Sequence, residues 1–343
     1  MVTKSKWLKR NPDLINISYY YRKSLPTGHF SIESYFDSIQ KMCPSDMIIT
    51  SVKAPSYSKG FINRLWICIH AIIHQGDINH ITGDIHFIAP FLRWSRTILT
   101  IHDCGQLKIK SGLPYHILKF FWFTLPCKVV NRITVNSEYT KKDLLSYVSV
   151  PEEKISVISI FVSELYKAYP KTFNAIEPNI LQIGTAQNKN IERTIQALAG
   201  IPCHLIILGK LNCSQISLLN ETKIKYTHIS QALSESDLYE LYKTADIVTL
   251  ISTLEGFGMT IIEANQIGIP VITADVASMP WVAADAAVLV SPFDVNAMRS
   301  GFIKIIRDDR YRNQLIMNGY KNAERFDSKT IVSQYVELYK NLK

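Results

Sequence analysis

The stretch LEGFGMTIIEANQIGIPVI (254–272) points to the fold because it joins a glycine-rich loop to a helix. It follows ADIVTLIS (245–252), a β-rich run typical of a buried strand. MTIIEANQI then has helical spacing, and Gly268 is a suitable C-cap. Backbone N–H groups and the helix dipole at such a junction favour an anion, usually phosphate, and glycines allow its close approach. The stretch therefore predicts a phosphate loop, with a tight turn that binds nothing as the alternative.

Two glutamates in this stretch point to a second kind of ligand. Glu255 lies at the mouth of the loop, and Glu263 lies about one turn into the helix. A carboxylate is a poor partner for phosphate but accepts hydrogen bonds from paired hydroxyls, such as those of a ribose or a hexose. Glu263 could also be an ordinary surface residue. Its neighbours Ile261 and Ile262 instead predict a buried helix, in which an unpaired carboxylate would be costly.

The rest of the chain repeats the alternation of strand and helix. The 343 residues, 47% hydrophobic and 20% charged, are typical of a globular protein with two domains. Six strands are predicted in each half, at 15–21, 46–51, 77–81, 97–103, 132–137 and 150–158, then 179–184, 203–209, 224–230, 245–252, 269–275 and 286–292. Segment 161–178 is predicted to be a linker. We therefore predict an α/β protein of two parallel-sheet domains with a ligand cleft between them.

Charge is distributed unevenly between the two halves. Residues 1–170 carry 21 Lys and Arg against 12 Asp and Glu, whereas residues 171–343 carry 17 of each, so the first half holds the entire net charge of +9. This asymmetry indicates an anionic partner for the first half: a nucleic acid, a membrane surface or a phosphorylated acceptor. Solubility alone is the alternative explanation. The apolar segment HILKFFWFTLPCKVV (116–130) is predicted to be a buried helix, with a membrane-surface patch as the alternative.

The cysteines and the N-terminus favour a cytoplasmic protein. Six scattered cysteines without a C-x-x-C pair suggest a reducing compartment. The N-terminal sequence is not that of a secretory signal, and no run reaches the ~20 apolar residues of a spanning helix.

The motif EGFGMTIIE resembles the E-x7-E motif of glycosyltransferase family 4, whose members are retaining, nucleotide-sugar-dependent enzymes of GT-B fold. ILQIGTAQNKNIERTIQAL (180–198), LYELYKTADIVTLIS (238–252) and ERFDSKTIVSQYVELYKNL (324–342) resemble other parts of that family in the same order. The resemblance implies two Rossmann-like domains facing a central cleft, at 1–165 for the acceptor and 166–325 for the nucleotide sugar. It also implies a C-terminal helix, 326–343, that packs back on the first domain; Asp327 or Ser328 can cap it.

The resemblance also implies roles for individual residues. Glu263 would bind the ribose, Glu255 would act at the transferred sugar, and Lys189 would neutralise the departing diphosphate. The remaining implied donor-binding residues are Gly256, Phe257, Gly258, Gly184, Thr185, Asn188 and Gly28. Three positions depart from the family pattern: Thr185 stands where Arg is frequent, Thr260 where Pro is common, and Trp281 with Ala284 where Glu and Gly are common.

Histidines mark the predicted acceptor side of the cleft. A histidine in GDINHITGDIHFIAP (76–90) is implied to contact the reacting sugar, and His80 and His86 remain alternatives for this catalytic role. Each could equally be a histidine bonded to backbone. Gly83, Asp84, His102 and Asp103 are predicted to line the cleft. His102 and Asp103 end a predicted strand, and the carboxyl ends of strands face the ligand crevice in such sheets. The H-x3-D-x-H spacing fits no strong zinc pattern, and the resemblance implies an enzyme that needs no metal and holds no permanently bound cofactor.

The function implied by the resemblance is transfer of a hexose-type sugar, with retention, from a nucleotide diphosphate sugar to a hydroxyl of a glycan or lipid-linked acceptor. We expect this in the synthesis of cell-surface polysaccharide or lipopolysaccharide, with peripheral contact at the inner face of the cell membrane through the basic half. No nucleic acid is expected. The alternatives are a nucleotide-sugar epimerase or phosphorylase of the same fold, and a non-catalytic protein that binds nucleotide sugars or nucleic acid.

Overall fold

The computed structural model describes residues 14–23 and 31–343, and its first half contains one six-stranded sheet. The strands are β1 (Ile15–Tyr21), β2 (Met47–Lys53), β3 (Ile78–Ile81), β4 (Thr97–Ile101), β5 (Arg132–Val135) and β6 (Ile155–Val157). They pair in the order β2-β1-β3-β4-β5-β6, and each pair is parallel. The helices between them are α1 (Ser31–Met42), α2 (Phe61–Ile73), α3 (Gly105–Ile109), α4 (Gly112–Leu118), α5 (Leu125–Val129) and α6 (Glu138–Tyr147). Short 3₁₀ segments lie at His86–Phe91, Trp94–Arg96 and Glu152–Lys154, and a π-helical turn, Lys119–Thr124, joins α4 to α5.

The second half contains another six-stranded parallel sheet. Its strands are β7 (Asn179–Ile183), β8 (His204–Leu208), β9 (Lys225–Ile229), β10 (Ile247–Leu250), β11 (Val271–Ala274) and β12 (Ala287–Val290), in the order β12-β11-β10-β7-β8-β9. The helices are α7 (Ile191–Leu198), α8 (Cys213–Thr222), α9 (Glu235–Thr244), α10 (Met259–Ile267), α11 (Met279–Ala283), α12 (Val295–Arg307), α13 (Asp309–Glu324) and α14 (Ser328–Lys340), with a 3₁₀ turn at Gln187–Lys189.

The prediction of two parallel α/β sheets is confirmed. Each of the twelve predicted strands forms, and most are shorter than predicted because their end residues belong to the adjoining loops. No strand or helix forms between Ile158 and Pro178, where the linker was predicted. The domain boundaries at 165 and 325 stay a prediction.

Segment 116–130 differs from its prediction. It is helical, but it is buried on one side only: Trp122 and Phe123 face the core, whereas Ile117, Phe120 and Phe121 are 45–49% exposed. The prediction of a buried helix therefore holds for one side of the segment only. A sequence of aromatic and aliphatic residues on every side of a helix does not reveal which side a neighbouring element covers.

A buried chain of polar side chains attaches α14 to the first sheet. The Tyr339 hydroxyl lies 2.7 Å from the Tyr19 hydroxyl of β1 and 2.8 Å from Nδ1 of His80 in β3. Nε2 of His80 lies 2.7 Å from Oγ1 of Thr100 in β4, and that hydroxyl lies 2.6 Å from Oγ1 of Thr134 in β5. The chain of hydrogen bonds thus joins four strands to a helix that follows the second sheet.

His80 is therefore a residue of the core, and its predicted catalytic role is corrected. The side chain has no exposed surface, and both ring nitrogens have partners within the first domain and α14. Burial lowers the pKa of His80 to about 3, with His102 contributing in the same direction, so the imidazole is neutral.

Replacing Tyr339 by Phe should weaken the whole fold. The substitution keeps the ring but leaves the buried Tyr19 hydroxyl and His80 Nδ1 without this partner, which costs about 1–3 kcal/mol of unfolding free energy. Urea denaturation would measure the change. Tyr226→Phe, on the exposed β9, is the control and should change stability by less than ~0.5 kcal/mol. Equal effects of the two substitutions would contradict the anchoring role.

Ala284 occupies a backbone conformation that favours glycine. It follows α11 with φ 48° and ψ −120°, and its side chain is exposed. An alanine with positive φ is strained because its Cβ crowds the backbone.

Ala284→Gly should therefore stabilise the protein by about 0.5–1 kcal/mol, since it relieves the strained φ. The midpoint of chemical denaturation would report the change. Ala323→Gly, inside α13, is the matched control with the opposite expected sign, because glycine disfavours a helix interior by a similar amount. A loss of stability in both variants would refute the proposed strain.

Candidate functional site

The loops after β7 and β10 meet at the carboxyl edge of the second sheet. Asn188 donates through Nδ2 to the Leu254 carbonyl at 3.0 Å, and its own carbonyl accepts from Thr253 N–H at 2.8 Å. Asn190, with φ 57°, donates to the carbonyls of Ile251 at 3.0 Å and Pro292 at 2.7 Å. Strand order reverses between β7 and β10, so these loops lie at the topological switch point where ligands bind in such sheets.

Lys189 and Glu255 form an ion pair in this loop cluster. Lys189 Nζ lies 2.6 Å from Glu255 Oε1, and the Ser252 hydroxyl donates to the same oxygen at 2.6 Å. The side chains remain 25% and 14% exposed, so both charged groups are accessible. The Lys189 stem lies over Gly184, whose φ is +89° and where a Cβ would lie 3.0 Å from Lys189 Cγ. Glycine at 184 thus gives the lysine room to reach the carboxylate.

The glycine loop presents its backbone to the cleft and its aromatic side chain to the core. Phe257 is buried with its ring centroid 5.5 Å from that of Phe326 and 6.4 Å from that of Trp281. Ser278 holds the loop by its hydroxyl, which lies 2.7 Å from the Phe257 carbonyl. Gly258, with φ 104°, immediately precedes α10. Only backbone atoms of Phe257 can therefore serve a ligand in the cleft.

Glu263 is a buried carboxylate with a tyrosine partner. It lies on α10 with 8% of its surface exposed, and the Tyr242 hydroxyl donates to its Oε2 at 2.5 Å. Burial raises the pKa of Glu263 to about 7, while the Tyr242 hydrogen bond and Lys189 act in the opposite direction. The prediction that this glutamate sits on a buried helix is confirmed. The sequence does not predict this role of Tyr242, because a tyrosine on an amphipathic helix is normally interpreted as a core residue.

The raised pKa of Glu263 predicts how stability depends on pH. Because the folded-state pKa of about 7 exceeds the ordinary value of 4.5, folding favours the protonated form. The resulting stability is complete below about pH 4.5 and is lost as pH rises through 7, with a total change of up to ~3 kcal/mol.

Glu263→Gln should flatten this part of the profile, because glutamine stays neutral and can still accept from Tyr242. Urea unfolding at intervals between about pH 5 and 8 would measure it. Glu240→Gln, at an exposed carboxylate on α9, is the control and should keep the native profile. Parallel profiles for the native protein and Glu263→Gln would show that Glu263 is not the group concerned.

The first domain contacts the glycine loop directly. The Gly256 carbonyl accepts from the Ser137 hydroxyl at 2.8 Å and from the Thr140 hydroxyl at 3.1 Å, both at the start of α6. A Cβ on Gly256 would collide with the His102 carbonyl oxygen, which Asn136 also binds at 3.0 Å. Ser137 is also the N-cap of α6. Asn136 and Ser137 directly follow β5, and residues at the carboxyl ends of parallel strands face the ligand cleft in such sheets.

Two further histidines, His86 and His102, are hydrogen-bonded to backbone carbonyls of the first domain. Nδ1 of His86 donates to the Trp122 carbonyl at 2.8 Å, and burial lowers the pKa of this side chain despite nearby Asp84 and Asp103. His102 is partly exposed, and its Nε2 donates to the Thr82 carbonyl at 2.9 Å. Burial likewise lowers the pKa of His102. Of the three histidines, His102 is the one whose backbone touches the glycine loop.

The other predicted site residues differ in whether their polar groups are already bonded to the protein. The Asp84 carboxylate accepts from Gln106 at 2.8 Å, and that of Asp103 accepts from Gly105 N–H at 2.7 Å, so both are oriented at the edge of the first sheet. Gly83 is buried against Arg22 N–H. The Thr185 hydroxyl donates to the Lys210 carbonyl at 2.5 Å. Gly28 lies outside the described residues. Within 14–23 and 31–343, no group of three His, Cys, Asp or Glu side chains is arranged to hold a metal ion.

Comparisons with known proteins match both halves of the chain. The family described as "Glycosyl transferases group 1" matches residues 170–322, and "Glycosyltransferase Family 4" matches residues 46–163. The O-antigen chain mannosyltransferase B of Escherichia coli is 25% identical over 275 residues, which span 73% of this chain and 71% of that protein. The O-antigen chain mannosyltransferase RfbU of Salmonella typhimurium is 25% identical over 255 residues, 71% of this chain and 70% of its own.

A solved structure has the same architecture. The Anabaena protein Alr3699/HepE, crystallised with UDP and glucose, superposes with a TM-score of 0.77 and 16% identity over 95% of this chain and 100% of its own. At that identity the match establishes the fold alone. The two family matches together span most of the chain, and they follow the order of the two domains of a GT-B protein. The class of enzyme is therefore a glycosyltransferase. Both halves of the chain match glycosyltransferase family models, which confirms the resemblance to glycosyltransferase family 4 that the E-x7-E motif predicted.

Proposed function

We propose that this enzyme transfers a hexose-type sugar, with retention of anomeric configuration, from a nucleotide diphosphate sugar to a hydroxyl of a glycan or lipid-linked acceptor. The observation that carries the proposal is the grouping of Lys189, Glu255 and the glycine loop at the switch point, with Glu263 in the helix behind it. The two O-antigen mannosyltransferases among its relatives support a place in the synthesis of cell-surface polysaccharide or lipopolysaccharide.

Each part of the donor has a chemically matched group. Glu263 accepts hydrogen bonds from the ribose hydroxyls, and Glu255 accepts from hydroxyls of the transferred sugar. Gly184, Thr185, Asn188 and the backbone at 256–258 approach the diphosphate, which suits the N-terminus of α10. HepE supports a nucleotide donor, since that protein was crystallised in complex with UDP and glucose.

Lys189 assists departure of the nucleotide. The bond between the anomeric carbon and the diphosphate oxygen breaks as the acceptor hydroxyl attacks the same face of the sugar. The leaving phosphate oxygen takes the acceptor's proton, so no enzyme carboxylate need form a covalent bond. An ammonium at this oxygen stabilises the negative charge that develops in the transition state. The ion pair with Glu255 holds that ammonium in the cleft before the donor arrives.

The first domain supplies the opposite wall. We infer that His102 rather than His80 is the histidine nearest the transferred sugar, because it lies beside Gly256 and is partly exposed. His86, Gly83, Asp84 and Asp103 orient the acceptor from the same sheet edge. The neutral imidazoles can exchange hydrogen bonds with sugar hydroxyls without adding charge.

Lys189→Ala and Glu255→Gln test this function. Each should lower the rate of sugar transfer by roughly 100-fold or more, because each removes a charged group at the reacting centre. Transfer would be measured as nucleoside diphosphate release, with a donor chosen by thermal shift against UDP-, GDP- and ADP-sugars. Lys243→Ala and Glu240→Gln are matched controls, since they break an ion pair of the same 2.6 Å length on the outer helix α9.

Other outcomes would refute the proposal. Full activity in both site variants would show that Lys189 and Glu255 do not form the active site. An inverted anomeric centre in the product would show that the reaction does not proceed with retention. Conversion of the donor without any acceptor would identify an epimerase. Binding of a nucleotide sugar without any product, across acceptors, would identify a non-catalytic protein.

A further inference from the structure

Helix α2 exposes an apolar side to solvent. Its inner side packs on the core through Ile67, Cys68 and Ala71. Its outer side carries seven large apolar residues that are 42–81% exposed: Phe61, Ile62, Leu65, Trp66, Ile69, Ile72 and Ile73. Their spacing of three and four residues makes a continuous stripe along the helix. A helix that is apolar on its outer side as well as on its inner side is ordinarily covered on both.

A second stripe lies beside the first. Leu113, Ile117, Phe120 and Phe121, on α4 and the π-helical turn, are 45–71% exposed and follow the same spacing. The Arg64 guanidinium of α2 lies 4.8 Å from the ring centroid of Trp122 in that turn, which places the two elements side by side. We call these eleven exposed residues of α2, α4 and the turn the apolar face.

The charges around the apolar face are positive. Residues 54–136 contain nine Lys and Arg against three Asp, and neither α2 nor the segment 104–137 contains an acidic residue. Lys59, Lys110 and Lys128 are exposed on the segments that flank the face. Asp77 is bonded to Asn16, while Asp84 and Asp103 accept bonds at the cleft edge. Within α2 and residues 104–137 the charged residues are therefore all basic, and Asp143 of the adjacent helix α6 is neutralised by its ion pair with Lys108 at 3.0 Å.

We propose that the apolar face docks the enzyme on an anionic lipid bilayer, with the aromatic and aliphatic side chains inserted at the interface and the cations on the lipid headgroups. Interfacial binding depends on this combination of buried apolar area and attraction to anionic lipid. The 13 residues of α2 span about 20 Å, less than the ~30 Å hydrocarbon core. Of the helices in the described ranges, none is both long and apolar enough to cross a membrane. The helix therefore lies on the bilayer.

Charge argues against a second copy of the chain as the occupant. A two-fold interface would place the same basic residues of two copies opposite each other, and like charges at an interface are repulsive. An anionic bilayer instead complements the net positive charge of the first half.

The apolar face begins next to the cleft. Lys59, Ser56 and Arg22 line a cavity of about 190 Å³ together with Asp84, at the carboxyl edge of the first sheet and directly before α2. Docking therefore brings this edge toward the headgroups, where a lipid-linked acceptor would be found. The docking itself does not depend on the proposed transfer reaction.

Vesicle co-sedimentation tests the proposal with the full chain. The native protein should sediment with phosphatidylcholine vesicles containing phosphatidylglycerol, bind pure phosphatidylcholine at least tenfold more weakly, and lose binding as salt is raised. The triple variant I62S/I69S/I73S should bind the anionic vesicles about tenfold or more weakly. I176S/I216S/M317S is the matched control, since it removes three comparably exposed apolar residues from the second domain, and it should bind like the native protein.

A charge variant keeps the test decisive if the triple variant is unstable. K110E/K128E reverses two exposed cations and should weaken binding to anionic vesicles only. Failure of the native protein to bind, or equal loss in the control, would overturn the proposal. The proposal would also be overturned if the native protein were a dimer and the I62S/I69S/I73S variant a monomer, because the apolar face would then join two copies of the chain. Thermal shift with a nucleotide sugar should be unchanged in every variant, which separates this test from that of the proposed function.

Discussion

The contact of Gly256 with the first domain is the constraint on which the cleft depends. Its carbonyl receives the Ser137 and Thr140 hydroxyls, and a side chain at 256 would collide with the His102 carbonyl. The glycine is therefore required for close approach of two backbones as well as for approach of a ligand. Because Glu255 is its immediate neighbour in sequence, this contact also fixes the backbone that carries the carboxylate paired with Lys189.

Hydrogen bonding turns the loop cluster into a pre-organised site. Asn188 and Asn190 hold the loop after β7 against the loop after β10, and Ser252 orients the Glu255 carboxylate. Each of these polar groups is hydrogen-bonded to another group of the protein. The charged atoms of Lys189 and Glu255 are therefore held in place. Preorganisation of this kind lets charge stabilisation act without reorganisation during reaction.

The sequence predicts the framework of the two sheets and the burial of Glu263 better than the environment of the histidines. Glycines, β-branched runs and helix caps are local signals, so the twelve strands and the burial of Glu263 follow from them. The position of His80 could not be predicted, because INHI in β3 is buried on both sides and hides which polar residue faces the core. Ser137 and Tyr242 have roles that depend on distant elements, Gly256 and Glu263, and no spacing reveals such partners. Likewise, local sequence does not show which side of segment 116–130 is covered, because that depends on the elements that pack against it.

The hydrogen bond between Tyr19 and Tyr339 joins residues 320 positions apart, and this separation has a consequence for biosynthesis. During translation the first sheet leaves the ribosome long before Tyr339, at roughly 5–20 residues per second. Until then the Tyr19 hydroxyl and Nδ1 of His80 lack their partner Tyr339, and the side of the sheet that α14 covers remains open to water. Exposed apolar surface of this kind makes incomplete chains prone to aggregation. Completion of the second sheet thus precedes final closure of the first, although the first is synthesised earlier.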